Sequence, residues 1–125
     1  MKIIRIMGLF SSIFALFSCQ AQDKGFESLS VEAFRQAIAD TTVVRLDVRT
    51  AEEFAEGHIE KAINIDVLKS DFEQKATSIL PKDRVIAVNC RSGKRSKKAA
   101  GILVKNGYKV IELDSGYNGW VKEGN

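Results

Sequence analysis

The sequence predicts an α/β fold in one domain, with a mostly parallel sheet covered by helices on both faces. Short runs rich in β-branched residues alternate with segments whose apolar residues recur at helical spacing. This alternation is typical of strand–helix–strand units with right-handed crossovers. With 125 residues, of which 45% are apolar, the chain can bury one core and is too short for two.

The first elements have recognisable boundaries. Ser30 can cap a helix that ends near Asp40, because apolar residues follow it at helical spacing. A β-branched run at residues 43–48 predicts a strand. The TAEE segment that comes next matches a capping box beginning at Thr50, so this strand should pass directly into a helix.

The middle of the chain predicts two strands with a helix between them. Residues 62–65 form a brief apolar run, and residues 72–79 have helical spacing. A turn at Pro81 then precedes a predicted strand over residues 85–89.

The last third predicts a helix, a strand and a final helical turn. The helix covers about residues 95–105, because Asn106 and Gly107 form a C-terminal stop signal. A strand over residues 108–113 follows, and then a helical turn over residues 115–121 whose Trp120 we expect to pack in the core.

The carboxyl ends of parallel strands are where ligands bind in open α/β sheets. Asp47 lies at the end of the predicted strand 43–48, and Cys90 directly follows the predicted strand 85–89. We therefore expect both residues at one rim of the sheet.

The N-terminus has the three regions of an export signal. Lys2 and Arg5 precede an apolar stretch over residues 8–17, and small or polar residues follow it. The apolar stretch is shorter than the roughly 20 residues of a membrane-spanning helix. The sequence therefore predicts export, and an uncleaved anchor is the alternative.

The LFSC segment at residues 16–19 resembles the cleavage site of bacterial lipoproteins. On that resemblance we expect a signal peptide over residues 1–18, a lipid on Cys19, a tether over residues 19–29 and a folded domain over residues 30–125. The mature protein would lie in the periplasm or cell envelope, held to the membrane by the lipid alone. Ordinary cleavage after Ala21, which leaves no lipid, is the competing interpretation.

Charge and cysteine count narrow the function. Loss of the signal removes two of the 19 cations and none of the 16 acids, which leaves a formal charge of +1 and no support for nucleic-acid binding. Because Cys19 is lipidated or removed, Cys90 is the one thiol of the mature chain, and we interpret it as reactive. Cys90 and the one histidine, His58, do not form a metal-ligand set, so we expect no metal and no cofactor.

The loop that begins at Cys90 carries the strongest chemical signal. It leaves a buried strand and enters a helix, so backbone N–H groups at the helix start can form an anion cradle. Such a cradle with neighbouring cations favours the thiolate over the thiol. We expect Lys97 and Lys98, further along the helix, only to solubilise its outer face.

Four segments together resemble the rhodanese superfamily over about residues 30–121. They are LDVRTAEEF at 46–54, GHIEKAINI at 57–65, CRSGKRS at 90–96 and GYNGW at 116–120. The third resembles the active loop of single-domain thiosulfate sulfurtransferases. Related phosphatases and arsenate reductases have five residues between cysteine and arginine, whereas four separate Cys90 from Arg95 here, which suits a persulfide sulfur better than a phosphoryl group.

The resemblance implies a rhodanese-like domain in which Cys90 takes a sulfur from thiosulfate or a similar anionic donor, forms a persulfide, and passes the sulfur to cyanide, a thiol or a protein thiol. It implies a substrate-binding loop made of Arg91, Ser92, Gly93, Lys94 and Arg95. It also implies supporting roles for Asp47, which would position the loop, and for Arg49, which would pair with a nearby acid. His58 occupies a position that looks architectural.

Two other functions fit the same residues. One is a non-catalytic rhodanese-like binding module, which the presence of Cys90 disfavours. The other is a persulfide carrier or redox protein of the cell envelope, since exposed thiolates outside the cytoplasm oxidise readily. The sequence does not separate this last alternative from the sulfurtransferase.

Overall fold

The computed structural model describes residues 25–125, in which a five-stranded parallel sheet is combined with five helices. The α/β fold class that the sequence predicts is thus confirmed. The predicted signal peptide and Cys19 lie outside the described residues. No helix among residues 25–125 is long and apolar enough to span a bilayer.

Strands and helices alternate along the chain. In order they are β1 (Glu27–Leu29), α1 (Val31–Ile38), β2 (Val44–Asp47), α2 (Ala51–Glu56), β3 (Ile63–Asn64), α3 (Phe72–Ile79), β4 (Ile86–Asn89), α4 (Lys94–Lys105), β5 (Val110–Leu113) and α5 (Gly116–Lys122). The strands lie in the order β1-β5-β4-β2-β3, and every pairing is parallel.

The core forms two layers, one on each face of the sheet. Strand β4 shows how its side chains divide: Ile86 and Val88 belong to the larger cluster, whereas Ala87 belongs to the smaller one. Helices α3 and α4 cover the larger cluster, and α1 and α5 cover the smaller. Because β4 is buried on both faces, its first three residues, Ile86 to Val88, are all apolar, which is typical of a central parallel strand.

One strand was not predicted. Strand β1 lies within residues that the sequence analysis assigned to the tether, and it pairs with β5 at the edge of the sheet. Its three residues are too few to show an alternating pattern. The apolar residues there are Phe26, which is buried in the larger cluster, and Leu29, which packs against the smaller one.

The sheet order places the site. Strand β4 lies between β5 and β2, so the segments that leave the carboxyl ends of these three strands meet at one rim. The loop at Cys90, the start of α2 and the start of α5 all lie there.

Candidate active site

Cys90 follows β4 directly and is 1% exposed. Its Sγ accepts a hydrogen bond from the Gly93 backbone N–H at 3.1 Å. The Asn89 side-chain amide donates to the Cys90 carbonyl at 3.1 Å. Gly93 has φ +107°, and a Cβ there would lie 2.1 Å from the Asp114 carbonyl oxygen, so this tight turn requires glycine.

The closing segment at residues 116–120 holds the loop from the opposite side. The Tyr117 N–H donates to the Cys90 carbonyl at 2.8 Å, and the Asn118 N–H donates to the Arg91 carbonyl at 3.0 Å. Gly116 has φ +66°, and a Cβ there would lie 2.3 Å from the same Arg91 oxygen. The loop carbonyls therefore bond to N–H groups of the first turn of α5, which the α5 hydrogen-bond ladder leaves without partners.

The loop cations divide into two groups. Arg95 forms a two-pronged ion pair with Glu53, with N···O distances of 2.7 and 2.9 Å. Arg91 reaches the same carboxylate at 3.3 Å, yet its side chain is 58% exposed. Lys94, at the start of α4, and Ser92, in the loop, are also exposed. Arg95 therefore braces the loop, whereas Arg91, which contacts Glu53 at the longer distance, and Lys94 expose their side chains to solvent.

Glu53 joins this loop to α2. Its carboxylate accepts from the Thr50 N–H, and its own N–H donates to the Thr50 hydroxyl, which completes the predicted capping box. The Arg95 guanidinium, which donates to Glu53, holds the pKa of this carboxyl well below its usual range. The same bond raises the pKa of Arg95, so both groups stay charged at neutral pH.

Asp47 and Arg49 form a buried ion pair and do not touch the loop through their side chains. The Asp47 carboxylate accepts from the Arg49 backbone N–H and guanidinium at 2.8 to 3.1 Å. Arg49 also donates to the Gly57 carbonyl at 2.7 Å and lies 4.4 Å from the centre of the Tyr117 ring. The Asp47 carboxylate thus bonds to Arg49 and supports the turn between β2 and α2, while the loop that it was expected to position is not in contact with its side chain.

A cleft of about 510 Å³ opens beside the loop. Its walls come from α2, from the loop and from α5. The residues that line it are Arg49, Glu53, Glu56, Gly57, Arg91, Tyr117, Asn118, Val121 and Lys122. The lining combines charged side chains with the Tyr117 ring and the apolar Val121.

A buried polar cluster behind Cys90 was missed by the sequence analysis. Ser96 lies 3.4 Å from the Cys90 Sγ and donates to the Glu112 carboxylate at 2.5 Å. Lys97 bonds to Asp114 at 2.8 Å and to Glu112 at 3.3 Å. Burial opposes the charge of Lys97, but these two acids outweigh it and raise the pKa of Lys97.

Lys97 is therefore not the purely solubilising residue that we expected. The alternation along β5 could have identified Glu112 as a buried residue, because Glu112 shares a face of the strand with the buried Val110.

His58 and Trp120 lie outside the chemistry of the loop. His58 is exposed, stacks on the Phe54 ring at 3.7 Å and bonds to the Phe54 carbonyl. Trp120 meets Phe34 edge to face at 6.2 Å beneath α5. Among residues 25–125, no three His, Cys, Asp or Glu side chains group in a way that could hold a metal ion.

These features define the class of protein. It is an α/β protein whose candidate active site holds a buried cysteine in a cationic loop, at the end of a central parallel strand. The rhodanese-like domain model matches residues 30–123, and the chain belongs to this family.

Similar proteins agree with this assignment. A sulfurtransferase of Allochromatium vinosum is 36% identical over 95 residues, covering 74% of this chain and 86% of the relative. The mitochondrial protein High Arsenic Content 1 of Arabidopsis thaliana is 38% identical over 89 residues, which is 63% of this chain. The match spans about half, 53%, of that protein's length.

Solved structures agree as well. The rhodanese-related protein of Thermoplasma volcanium superposes with a TM-score of 0.68 at 30% identity, covering 78% of this chain and 92% of that one. Other relatives are named thiosulfate sulfurtransferases or a putative sulfur carrier. Sulfur transfer is therefore the chemistry named among the relatives of this chain.

Proposed function

We propose that this protein is a sulfurtransferase that moves a sulfane sulfur through a persulfide on Cys90. The observation that carries the proposal is the setting of the Cys90 Sγ, which accepts a backbone N–H in a loop ringed by cations. A fixed N–H donor stabilises a sulfur anion without reorganisation during the reaction. Only four residues separate Cys90 from Arg95, so the backbone loop around the thiol is small. A loop of this size fits a single added sulfur.

Thiosulfate or a similar anion is the proposed donor. The Cys90 thiolate attacks the outer sulfur, a new S–S bond forms on the enzyme, and the electron pair of the broken S–S bond leaves with sulfite. Arg91 and Lys94 bind the anionic oxygens of the donor, because both side chains are exposed beside the loop. In this proposal Arg95 braces the loop, since it is less exposed and bonds to Glu53 through two nitrogen atoms.

The second half-reaction returns the thiolate. An acceptor such as cyanide or a thiol attacks the outer sulfur, takes it, and leaves the electron pair of the enzyme S–S bond on Cys90. The loop is held at both ends, by Glu53 through Arg95 and by the N–H groups of α5, so it needs no rearrangement between the two steps. This is the preorganisation that a two-step covalent mechanism requires.

The test is thiosulfate:cyanide turnover of the full-length chain in mild detergent, with the intact mass recorded after thiosulfate alone. We expect a gain of one sulfur and steady turnover, both absent in Cys90→Ser. Lys98→Gln is the matched control, because it removes an exposed cation of α4 that does not line the cleft. A folded protein that gains no sulfur from thiosulfate would contradict the proposed donor.

A persulfide carrier is the second candidate, and the cleft favours it. The cleft beside the loop is far larger than cyanide requires, and Tyr117 and Val121 add apolar surface suited to a larger thiol acceptor. Stopped-flow comparison of cyanide with a protein dithiol separates the two functions. Faster discharge of the Cys90 persulfide by the dithiol would favour the carrier, and faster discharge by cyanide would favour the enzyme.

We also propose that the protein is exported and anchored in the cell envelope by lipid on Cys19. The support is the charged, apolar and small-residue order of residues 1–19. Metabolic labelling with an alkyne fatty acid should mark the wild-type chain and leave Cys19→Ala unmarked. Labelling of neither chain, with both released in the soluble periplasmic fraction, would favour cleavage after Ala21 instead.

A further inference from the structure

Glu112 is a fully buried carboxylate that no step of the sulfur transfer uses. It lies in β5 and faces α4. The Ser28 hydroxyl of the edge strand donates to one of its oxygens, and the Ser96 hydroxyl donates to the other, both at 2.5 Å. A buried acid needs a compensating environment, so its position behind the reactive thiol calls for an explanation.

Ser96 lies between Glu112 and the Cys90 thiol. A serine hydroxyl has one proton to donate and two lone pairs that accept. The Oγ of Ser96 lies 2.5 Å from Glu112 and 3.4 Å from the Cys90 Sγ. The Gly93 carbonyl, at 3.2 Å, is a more distant acceptor for the Ser96 proton than Glu112. With its proton on the side of Glu112, Ser96 accepts the hydrogen bond of the Cys90 thiol.

The neighbouring charges allow Glu112 to gain a proton without leaving Lys97 unpaired. Lys97 pairs more closely with Asp114, at 2.8 Å, than with Glu112, at 3.3 Å. Of the loop cations near Cys90, Arg95 is already paired with Glu53. If Glu112 gained a proton, Lys97 would therefore keep an acidic partner.

We propose that Glu112, a positioning residue acting through Ser96, takes up the proton of Cys90 when the thiolate forms. The S–H bond breaks as the proton passes to the Ser96 oxygen, and the original Ser96 proton passes to Glu112. The hydroxyl of Ser96 then donates to the thiolate. The inference rests on the proposed function, in which the persulfide is made from this thiolate, and the proton returns along the same path when sulfur leaves.

Proton transfer between Cys90 and Glu112 is favoured because both groups are buried. Cys90 is 1% exposed and Glu112 is 0% exposed, so loss of a proton to solvent would add a negative charge to a buried site. Internal transfer keeps the net charge of the cluster unchanged, which avoids that desolvation cost.

The test measures the alkylation rate of Cys90 by iodoacetamide against pH in the full-length chain. A shared proton gives two rises separated by a plateau between about pH 5 and pH 8, the range in which a free carboxyl has lost its proton and a free thiol keeps it. In Glu112→Gln and Ser96→Ala we expect one rise, of about tenfold per pH unit below its midpoint. Asp114→Asn is the matched control, since it contacts the same lysine but not Ser96, and it should keep the plateau.

A single rise in the wild-type chain would overturn the inference, whether or not the variants fold. A plateau that persists in folded Glu112→Gln would overturn it as well, because another group would then hold the proton. Alkylation needs only the thiol, so the result is independent of sulfur transfer. A plateau without sulfur uptake would refute the proposed donor and leave the proton path intact.

Discussion

Replacement of Asp47 by asparagine tests whether the motif at residues 46–54 positions the Cys90 loop or stabilises the fold. The substitution keeps the size of the side chain and removes its charge. In the wild-type chain this carboxylate accepts from the backbone and guanidinium of Arg49 through three nitrogen atoms. Arg49 would keep its bond to the Gly57 carbonyl but would become a buried cation without a counter-charge.

The expected cost follows from the burial of both partners. The Asp47 side chain is 0% exposed and that of Arg49 is 4% exposed. Removal of one partner of such a buried pair costs about 3–5 kcal/mol, because the remaining charge stays desolvated. Since domains of this size have unfolding free energies of about 5–15 kcal/mol, the loss is a large share of the total.

The assay is urea unfolding of Asp47→Asn at pH 7, followed by circular dichroism. The matched control is Glu32→Gln, which breaks the Glu32–Arg35 pair on the surface of α1, where the side chains are 58% and 50% exposed. We expect the control to lose less than about 1 kcal/mol. A double variant, Asp47→Leu with Arg49→Met, should recover much of the loss, because it removes both buried charges.

A loss below about 1 kcal/mol in Asp47→Asn would refute the reasoning, since the pair would then behave like one on the surface. The alkylation rate of Cys90 gives a second criterion. The folded variant should keep the wild-type rate, because the Asp47 side chain does not contact the loop. A slow rate in the folded variant would restore the loop-positioning role that the sequence analysis expected.

Three further predictions concern the loop and its supports. Gly116→Ala should lower the free energy of unfolding by more than about 1 kcal/mol, measured by urea unfolding, because of the positive φ and the contact of a Cβ with the Arg91 carbonyl. Glu53→Gln should be less stable than the wild type at pH 7. Because the folded-state pKa of Glu53 is lowered, that difference should shrink as the pH falls below about 4.5, the ordinary value, in urea unfolding at several pH values. Arg91→Gln should raise the KM for thiosulfate about fivefold to tenfold with kcat nearly unchanged, in steady-state kinetics, because an exposed side chain contributes mainly to binding.

Local patterns were sufficient to predict most of the fold. The capping box at Thr50 and the stop at Asn106 mark helix ends within one residue, because both signals depend on neighbours along the chain. Strand β1 lacks such a signal. It is a strand because Glu27–Leu29 pairs with β5, which comes more than 80 residues later, and such pairings are not encoded in a three-residue window.

The candidate site likewise combines features that the local sequence predicts with features that it does not predict. The turn at Gly93 and the position of Cys90 at a strand end follow from adjacent residues. The partners of the charged groups do not, since Glu53 and Arg95 are 42 positions apart and Ser28 and Glu112 are 84 apart. Their contacts depend on which strands become neighbours, and local spacing does not determine that order.

Because β2 and β4 are neighbouring strands, the motifs at residues 46–54 and 90–96 lie at one site. The first motif supplies two acids with different tasks. Asp47, inside the sheet, neutralises Arg49 and fixes the turn from which α2 begins. Glu53, one turn into α2, then reaches across to Arg95 and fixes the start of α4. A change at Glu53 should therefore alter both the helix cap and the Cys90 loop, whereas a change at Asp47 should alter stability alone.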